Sequence, residues 1–173
     1  MNELNIPEGL AKLGFVYHGE VVAPDGRVIA EIVQDNLIPQ VGMDLLAGFI
    51  RGQGALISNW YVGVFAGNFV PSSATTAADL PTNAGEATNY SQATRPLWDN
   101  TYDGTSVISN LASRAEFTFT ADTRLYGGFL VSNSAKGGNT GTLLSIARFA
   151  TPQDVPAGST FRLGIAITLL STY

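Results

Sequence analysis

The sequence predicts an all-β protein, an antiparallel β-sandwich or jelly roll with one short helix and an N-terminal arm. Short runs of β-branched and aromatic residues recur along the chain, several of them alternating apolar with polar, and clusters of Gly, Pro, Asn and Asp separate them. Only one stretch carries helical spacing. Strands do not alternate with helices as βαβ units would require, so a parallel sheet has no support.

Residues 1–14 hold Leu4, Ile6, Leu10 and Leu13 between Pro7, Gly9 and Gly14, with neither a clean helical nor a clean strand period. They read as an arm, with at most a helical turn after Pro7, that needs a surface to lie on. The rest, 15–173, reads as a single sandwich domain. Phe15–Val22 and Arg27–Gln34 flank Ala23-Pro24-Asp25-Gly26, and an Asp-Gly turn between such runs predicts a hairpin because glycine accepts the positive φ required there. This 15–38 hairpin is expected to extend from the body. In Pro39–Ile50, Val41, Leu45, Leu46 and Phe49 share one helical face, and Gly52 and Gly54 offer the stop.

From Ile57 the reading is β. Ile57–Phe65 is a strand, and a long excursion from Pro71 to about Asp103 follows, rich in Ser, Thr, Ala and Asn. It reads as lying outside the core, anchored by Tyr90, Leu97 and Trp98; a loop of that length is uncommon unless it is functional or packed on a partner. Strands follow at Arg114–Thr120, Leu125–Ser132, Leu143–Ala150 and Thr160–Ser171. Phe117 and Phe119, and later Phe161, Leu163, Ile165, Ile167 and Leu169, alternate with their neighbours, so one face of each strand is buried. Ser132–Thr142 is a glycine-rich hairpin loop, and Thr151–Gly158 a turn.

Composition narrows the chemistry. The 173 residues include no cysteine and one histidine, 45% are hydrophobic and 13% charged, and the formal net charge is -5. Absent cysteine excludes thiol nucleophiles, disulfides and Cys-based zinc sites. The acidic balance argues against nucleic-acid binding, which relies on clustered Lys and Arg. No signal peptide and no apolar run of membrane-span length is present, so no membrane partner is expected.

Each chemical motif meets a plainer reading. His18 lies mid-strand without a marked nucleophile or carboxylate converging on it. Asp99–Gly104 partly copies a calcium loop, but Asn110 stands where the bidentate Glu belongs, so it reads as a turn. Gly52-Gln53-Gly54 and Lys136–Thr142 have the wrong order for phosphate loops. The fourteen acids are spread singly rather than paired as in a glycosidase. Asn89-Tyr90-Ser91 matches a glycosylation sequon by chance. Trp60–Phe65 reads as alternating core positions, with a sugar-stacking platform as the competing reading. No catalytic residue, metal ligand or cofactor is assigned.

Several segments resemble a family as a set: Ser58–Pro71; Glu86 through Tyr90 to Thr94-Arg95-Pro96-Leu97-Trp98; Tyr126–Ser132; Gly141–Phe149; and Ala157–Leu163. The series resembles small structural proteins of tailed bacteriophages, over roughly residues 58–170. The resemblance implies a non-enzymatic virion protein, foremost a jelly-roll capsid decoration (cement) protein made in the host bacterial cytoplasm. Its partners would be the major capsid protein and copies of itself in a homo-oligomer. A tail fibre, baseplate or adaptor role, and a carbohydrate-binding sandwich using Trp60 or Trp98, are the alternatives. Leu4, Ile6, Leu10, Leu13, Tyr90 and Trp98 are the candidate partner-interface residues.

Overall fold

A computed structural model describes residues 14–169, and its architecture is an antiparallel β-sandwich with one short helix. The strands are β1 (Gly14–Val22), β2 (Val28–Asp35), β3 (Tyr61–Phe65), β4 (Thr101–Tyr102), β5 (Val107–Ser109), β6 (Ala115–Thr118), β7 (Thr123–Val131), β8 (Leu143–Val155) and β9 (Thr160–Thr168); the helix α1 is Gln40–Ile50. The larger sheet runs β2-β1-β9-β5-β4, with β6 also paired to β9, and the smaller runs β3-β7-β8. The all-β expectation is met as a sandwich.

The hairpin forms where Asp25-Gly26 places it: Gly26 has φ +88, and its N–H donates to the Ala23 carbonyl. It does not extend from the body. β1 pairs along its whole length with β9 on one side and with β2 on the other, beginning at Gly14, which therefore belongs to the sandwich and not to the arm. Phe15, Tyr17 and Val21 point into the core while Val16, His18 and Glu20 face outward, as period-2 alternation dictates. Residues 1–13, with Leu4, Ile6, Leu10 and Leu13, lie outside the described residues.

The faces of the two sheets meet in one core: Phe15, Tyr17, Phe117, Phe161, Leu163 and Ile165 from the larger, and Val62, Val64, Leu130, Leu144 and Phe149 from the smaller. Within it the Tyr17 hydroxyl donates to Ser145 Oγ at 2.9 Å, linking β1 to β8. Phe149 and Phe161 pack ring to ring across the sheets. Backbone approaches in this layer are close. A Cβ on Gly127 would lie 2.2 Å from the Ala147 carbonyl oxygen, and the β7–β8 register shifts beside it, as the glycine pair in Tyr126–Phe129 suggests.

The sequence reading of 71–103 as an excursion outside the core is overturned. Ala77, Leu80 and Ala84 are buried against Phe65, Phe129, Val131 and Ile146 in a second cluster on the far side of the smaller sheet. The excursion is a third layer. It also covers two sheet edges: Val62 donates to the Pro96 carbonyl and Ala87 to that of Val64 along β3, while Ser91 donates to the Thr118 carbonyl and Tyr90 bridges Phe119 beside β6. Small residues missed the core reading because Ala buries little area each, yet pairing and close packing still bury the segment.

Arg95 fastens this layer. Its side chain is fully buried and pairs in bidentate fashion with Glu86, Nε to Oε1 at 2.8 Å and Nη2 to Oε2 at 2.6 Å. Nη1 donates to the Asn133 carbonyl and Nη2 also to that of Gly138, both at 2.8 Å, and the guanidinium lies 5.3 Å from the centre of the Phe129 ring. Lys136 of the same loop reaches the Tyr90 carbonyl at 2.9 Å and caps the Tyr90 ring. Thus the glycine-rich 132–142 loop is held to the excursion.

Other boundaries shift modestly. β3 begins at Tyr61 instead of Ile57; β4, too short to show a period, forms at the end of the expected excursion, and β5, equally short, in the stretch between it and Arg114. β8 continues to Val155, through the residues expected to turn, because Pro152 falls where the register with β7 breaks and its missing N–H costs no ladder bond. The turn is confined to Pro156–Ser159, with Gly158 at φ +79.

Replacing Arg95 by Leu strands the Glu86 carboxylate in the interior, and the expected loss is about 3–5 kcal/mol of unfolding free energy in urea titrations. The double replacement Arg95→Leu/Glu86→Leu should cost clearly less than the sum of the single ones. Additive losses would mean that the two groups do not act as a pair.

Candidate functional site

A groove of about 810 Å³ lies on the outer face of the larger sheet. Its floor follows from register. Glu20 of β1 stands opposite Glu31 of β2 and Arg162 of β9, and Arg162 stands opposite Glu116 of β6, which sets one cross-strand row of charged residues. Arg162 bonds Glu116 at 2.9 Å and lies 3.7 Å from Glu20. Arg114 reaches Glu20 at 2.8 Å. It can do so because it passes over Gly164, where a Cβ would lie 3.3 Å from the arginine Cγ and 2.6 Å from Leu111. Gln92, Leu97, Leu111 and Asp99 complete the walls, with Asp99 accepting from the Ser113 hydroxyl at 2.9 Å.

Glu20 and Glu116 are thus gathered, although the acids read as scattered in the sequence. Retaining or inverting glycosidases place a scissile bond between two carboxylates; here Arg162 stands between them. Ser113, the serine of the groove, donates to the Asp99 carboxylate, and the lining residues of the groove include no histidine. The arrangement is an ionic surface whose groups are engaged with one another.

His18 belongs to the same face, one step along β1 from Glu20, opposite Val33 and Gly164. Partial burial and the positive charge of Arg114 hold its imidazole below the usual histidine range. Among the described residues no group of three or more His, Asp and Glu is placed to hold a metal ion. Asp103 of the calcium-like stretch accepts from the N–H groups of Thr105, Ser106 and Val107, which pull its carboxyl well below the ordinary carboxylate range. Its oxygens close a turn, and the turn reading holds. Gly52, at φ +67, ends α1.

The candidate interface residues fare differently. Trp98 is buried, and its indole N–H donates to Asn110 Oδ1 and the Ile165 carbonyl, both at 3.2 Å. Tyr90 is buried edge-on against Phe117 and Phe119. Neither offers a partner its ring, so both are core anchors; Leu97, by contrast, is exposed at the groove wall. Trp60 is half-buried against the core, which favours the packing reading over a sugar platform. Leu4, Ile6, Leu10 and Leu13 lie outside the described residues.

One surface escaped the sequence reading. Val41, Leu45 and Leu46 of α1 pack inward as their spacing requires, whereas Phe49, expected on the same face, is exposed; Met43, Ala47 and Ile50 form a second stripe at i, i+4, i+7 that faces solvent, with Ile50 89% exposed. Asp44 is the only charged residue in this helix. A signal was present, because a helix apolar on every side is not that of a one-sided surface helix.

Compared with protein-family models, with curated proteins and with solved structures, the chain matches none.

The depressed histidine has a consequence for stability. Since the folded state takes up the His18 proton less readily than the unfolded chain, its penalty is absent well above pH 6.5, the model-peptide value, and grows as pH falls through that value towards the lower folded one. His18→Gln should therefore lose less stability than wild type between about pH 7.5 and 5.5, the window spanning the usual histidine value. Parallel thermal melts at both pH values read the difference; equal losses would show that His18 is not the sensor.

Proposed function

We propose that the protein is a non-enzymatic structural component of a tailed-bacteriophage virion, foremost a capsid decoration protein that binds the major capsid protein and stabilises the head shell. The observation that carries this reading is α1. Its solvent-facing stripe of Met43, Ala47 and Ile50 is apolar surface without use inside the described fold, as expected of a contact between subunits. The groove is compatible with it, its charged groups being engaged with one another. The resemblance of residues 58–170 to phage structural proteins supplies the setting, and the acidic net charge is compatible with a position away from packaged DNA.

Attachment in this reading uses the apolar side chains of the N-terminal segment, Leu4, Ile6, Leu10 and Leu13, together with the α1 stripe, on a body made rigid by its third layer. The carbohydrate-binding alternative loses one of its two candidates, because Trp98 is committed to the interior.

Removing residues 1–13 leaves β1 intact from Gly14, so the truncated protein is expected to fold while its occupancy on purified particles falls at least tenfold. Circular dichroism checks the fold, and gel densitometry with electron microscopy of particles checks occupancy. Wild-type occupancy after truncation would remove the attachment role of the segment, and label found on tails alone would move the protein to the tail.

A further inference from the structure

The outer stripe of α1 is an apolar strip with an obvious length. Eleven residues of helix span about 16 Å. Met43, Ala47 and Ile50 mark it out, with Asp44 one turn from its start and Arg51 immediately beyond its end.

The chain outside the described residues joins the fold near the start of α1. Gly14 begins β1 at the corner where β2 finishes: the Phe15 N–H donates to Asn36 Oδ1 at 2.7 Å, and the Asn36 N–H to the Phe15 carbonyl at 3.2 Å. Asn36 leads through Leu37, Ile38 and Pro39 directly into α1. Residues 1–13 therefore join the fold a few residues from the helix start. Thirteen residues reach up to about 45 Å when extended and about 20 Å when helical, enough to follow α1 end to end in either form.

The two sequences are complementary in the antiparallel sense. Reading back from Gly14, the apolar residues Leu13, Leu10 and Ile6 follow at gaps of three and four against the gaps of four and three between Met43, Ala47 and Ile50, so the outer pairs are offset by one residue while the large Leu10 falls at the middle against the small Ala47. The same alignment brings Lys12 towards Asp44 and Glu8 or Glu3 towards Arg51, so opposite charges meet at both ends. The reverse direction would bring acidic residues 3 and 8 to the Asp44 end.

From this juxtaposition we infer that, in the free protein, residues 3–13 dock antiparallel along the outer face of α1 of their own chain, Leu10 over Ala47. The inference concerns the isolated chain and does not rest on the virion reading. It gives the apolar stripe an intramolecular cover that a binding partner would have to displace.

The chain has no cysteine, so a designed pair reports on this contact alone. Leu10→Cys/Ala47→Cys in the full-length protein, oxidised at low micromolar concentration, should give an intramolecular disulfide: a monomer of faster non-reducing mobility, with the 10–47 linkage found by peptide mass mapping. A control pair, Leu10→Cys/Val28→Cys, should stay reduced. Absence of the 10–47 linkage, or a linkage formed only between two copies, overturns the proposal; the second result would instead make α1 the seat of a neighbour's segment. Leu10→Glu in the cysteine-free chain is the companion variant. Amide exchange of α1 residues should accelerate at least tenfold and the binding of an apolar dye should rise; unchanged exchange and dye binding also overturn it. Particle occupancy enters neither readout, so failure here and failure of the decoration reading are told apart.

Discussion

A buried arginine is tolerable only when its charge is paired and each of its nitrogens is hydrogen-bonded, and the Arg95 site meets that condition. Both oxygens of Glu86 accept from it, and the Asn133 and Gly138 carbonyls accept from Nη1 and Nη2. The Gly137 N–H, at 3.1 Å, supplies a further donor to Glu86. Desolvating two charges costs several kcal/mol, and a pair of this kind is weak evidence for added stability. Its value lies in specificity: few other placements of the 66–98 segment would satisfy the same donors and acceptors. The third layer and the 132–142 loop are thereby held in one arrangement.

That arrangement also accounts for the sheet edges. An unpaired strand edge is a template for association with other chains. The excursion covers β3 with residues 84–87 and 96–98 and runs alongside β6 with residues 89–91. On the opposite side β2 and β8 face each other, joined by the Leu37–Ile146 bridge and by Gln34, whose side-chain oxygen accepts from the Ala150 N–H at 2.8 Å. β4, at the end of the larger sheet, leaves an edge only two residues long, and exposed apolar side chains stand on β2 (Val28, Ile29 and Val33) as well as on α1. Adhesion by a helix face fits such a body better than adhesion by strand addition.

Periodicity made much of this legible. β1 and β9 were readable because each has one buried face, β2 and the helix because one face of each packs partly against the core, and the Asp25-Gly26 turn because only a positive φ fits it. Trp98 and Tyr90 were readable as anchors, but anchoring and partner contact compete for the same ring, and burial decides for the first. What could not be read depends on residues far apart in sequence. Glu86 and Arg95 look like ordinary surface charges until Asn133 and Gly138 arrive from another hairpin. The groove row Glu31, Glu20, Arg162 and Glu116 exists only once register between β2, β1, β9 and β6 is fixed. Alanines in the 74–87 region hid the third layer, since small side chains give no apolar period.

The excursion is part of the folded body, closed by the Arg95–Glu86 pair, and not a loop laid over it. Native-state hydrogen exchange tests this most directly. The amides of Ala66, Gly67, Ala87 and Trp98 donate to Gly85, Ala84, Val64 and Trp60, so each is protected only while the excursion is in place. The account requires these amides to exchange through the same global opening as the amides of β7, with matching free energies and matching denaturant dependence. Exchange through a separate opening, several kcal/mol lower and insensitive to denaturant, would contradict it and return the segment to the status of a loop.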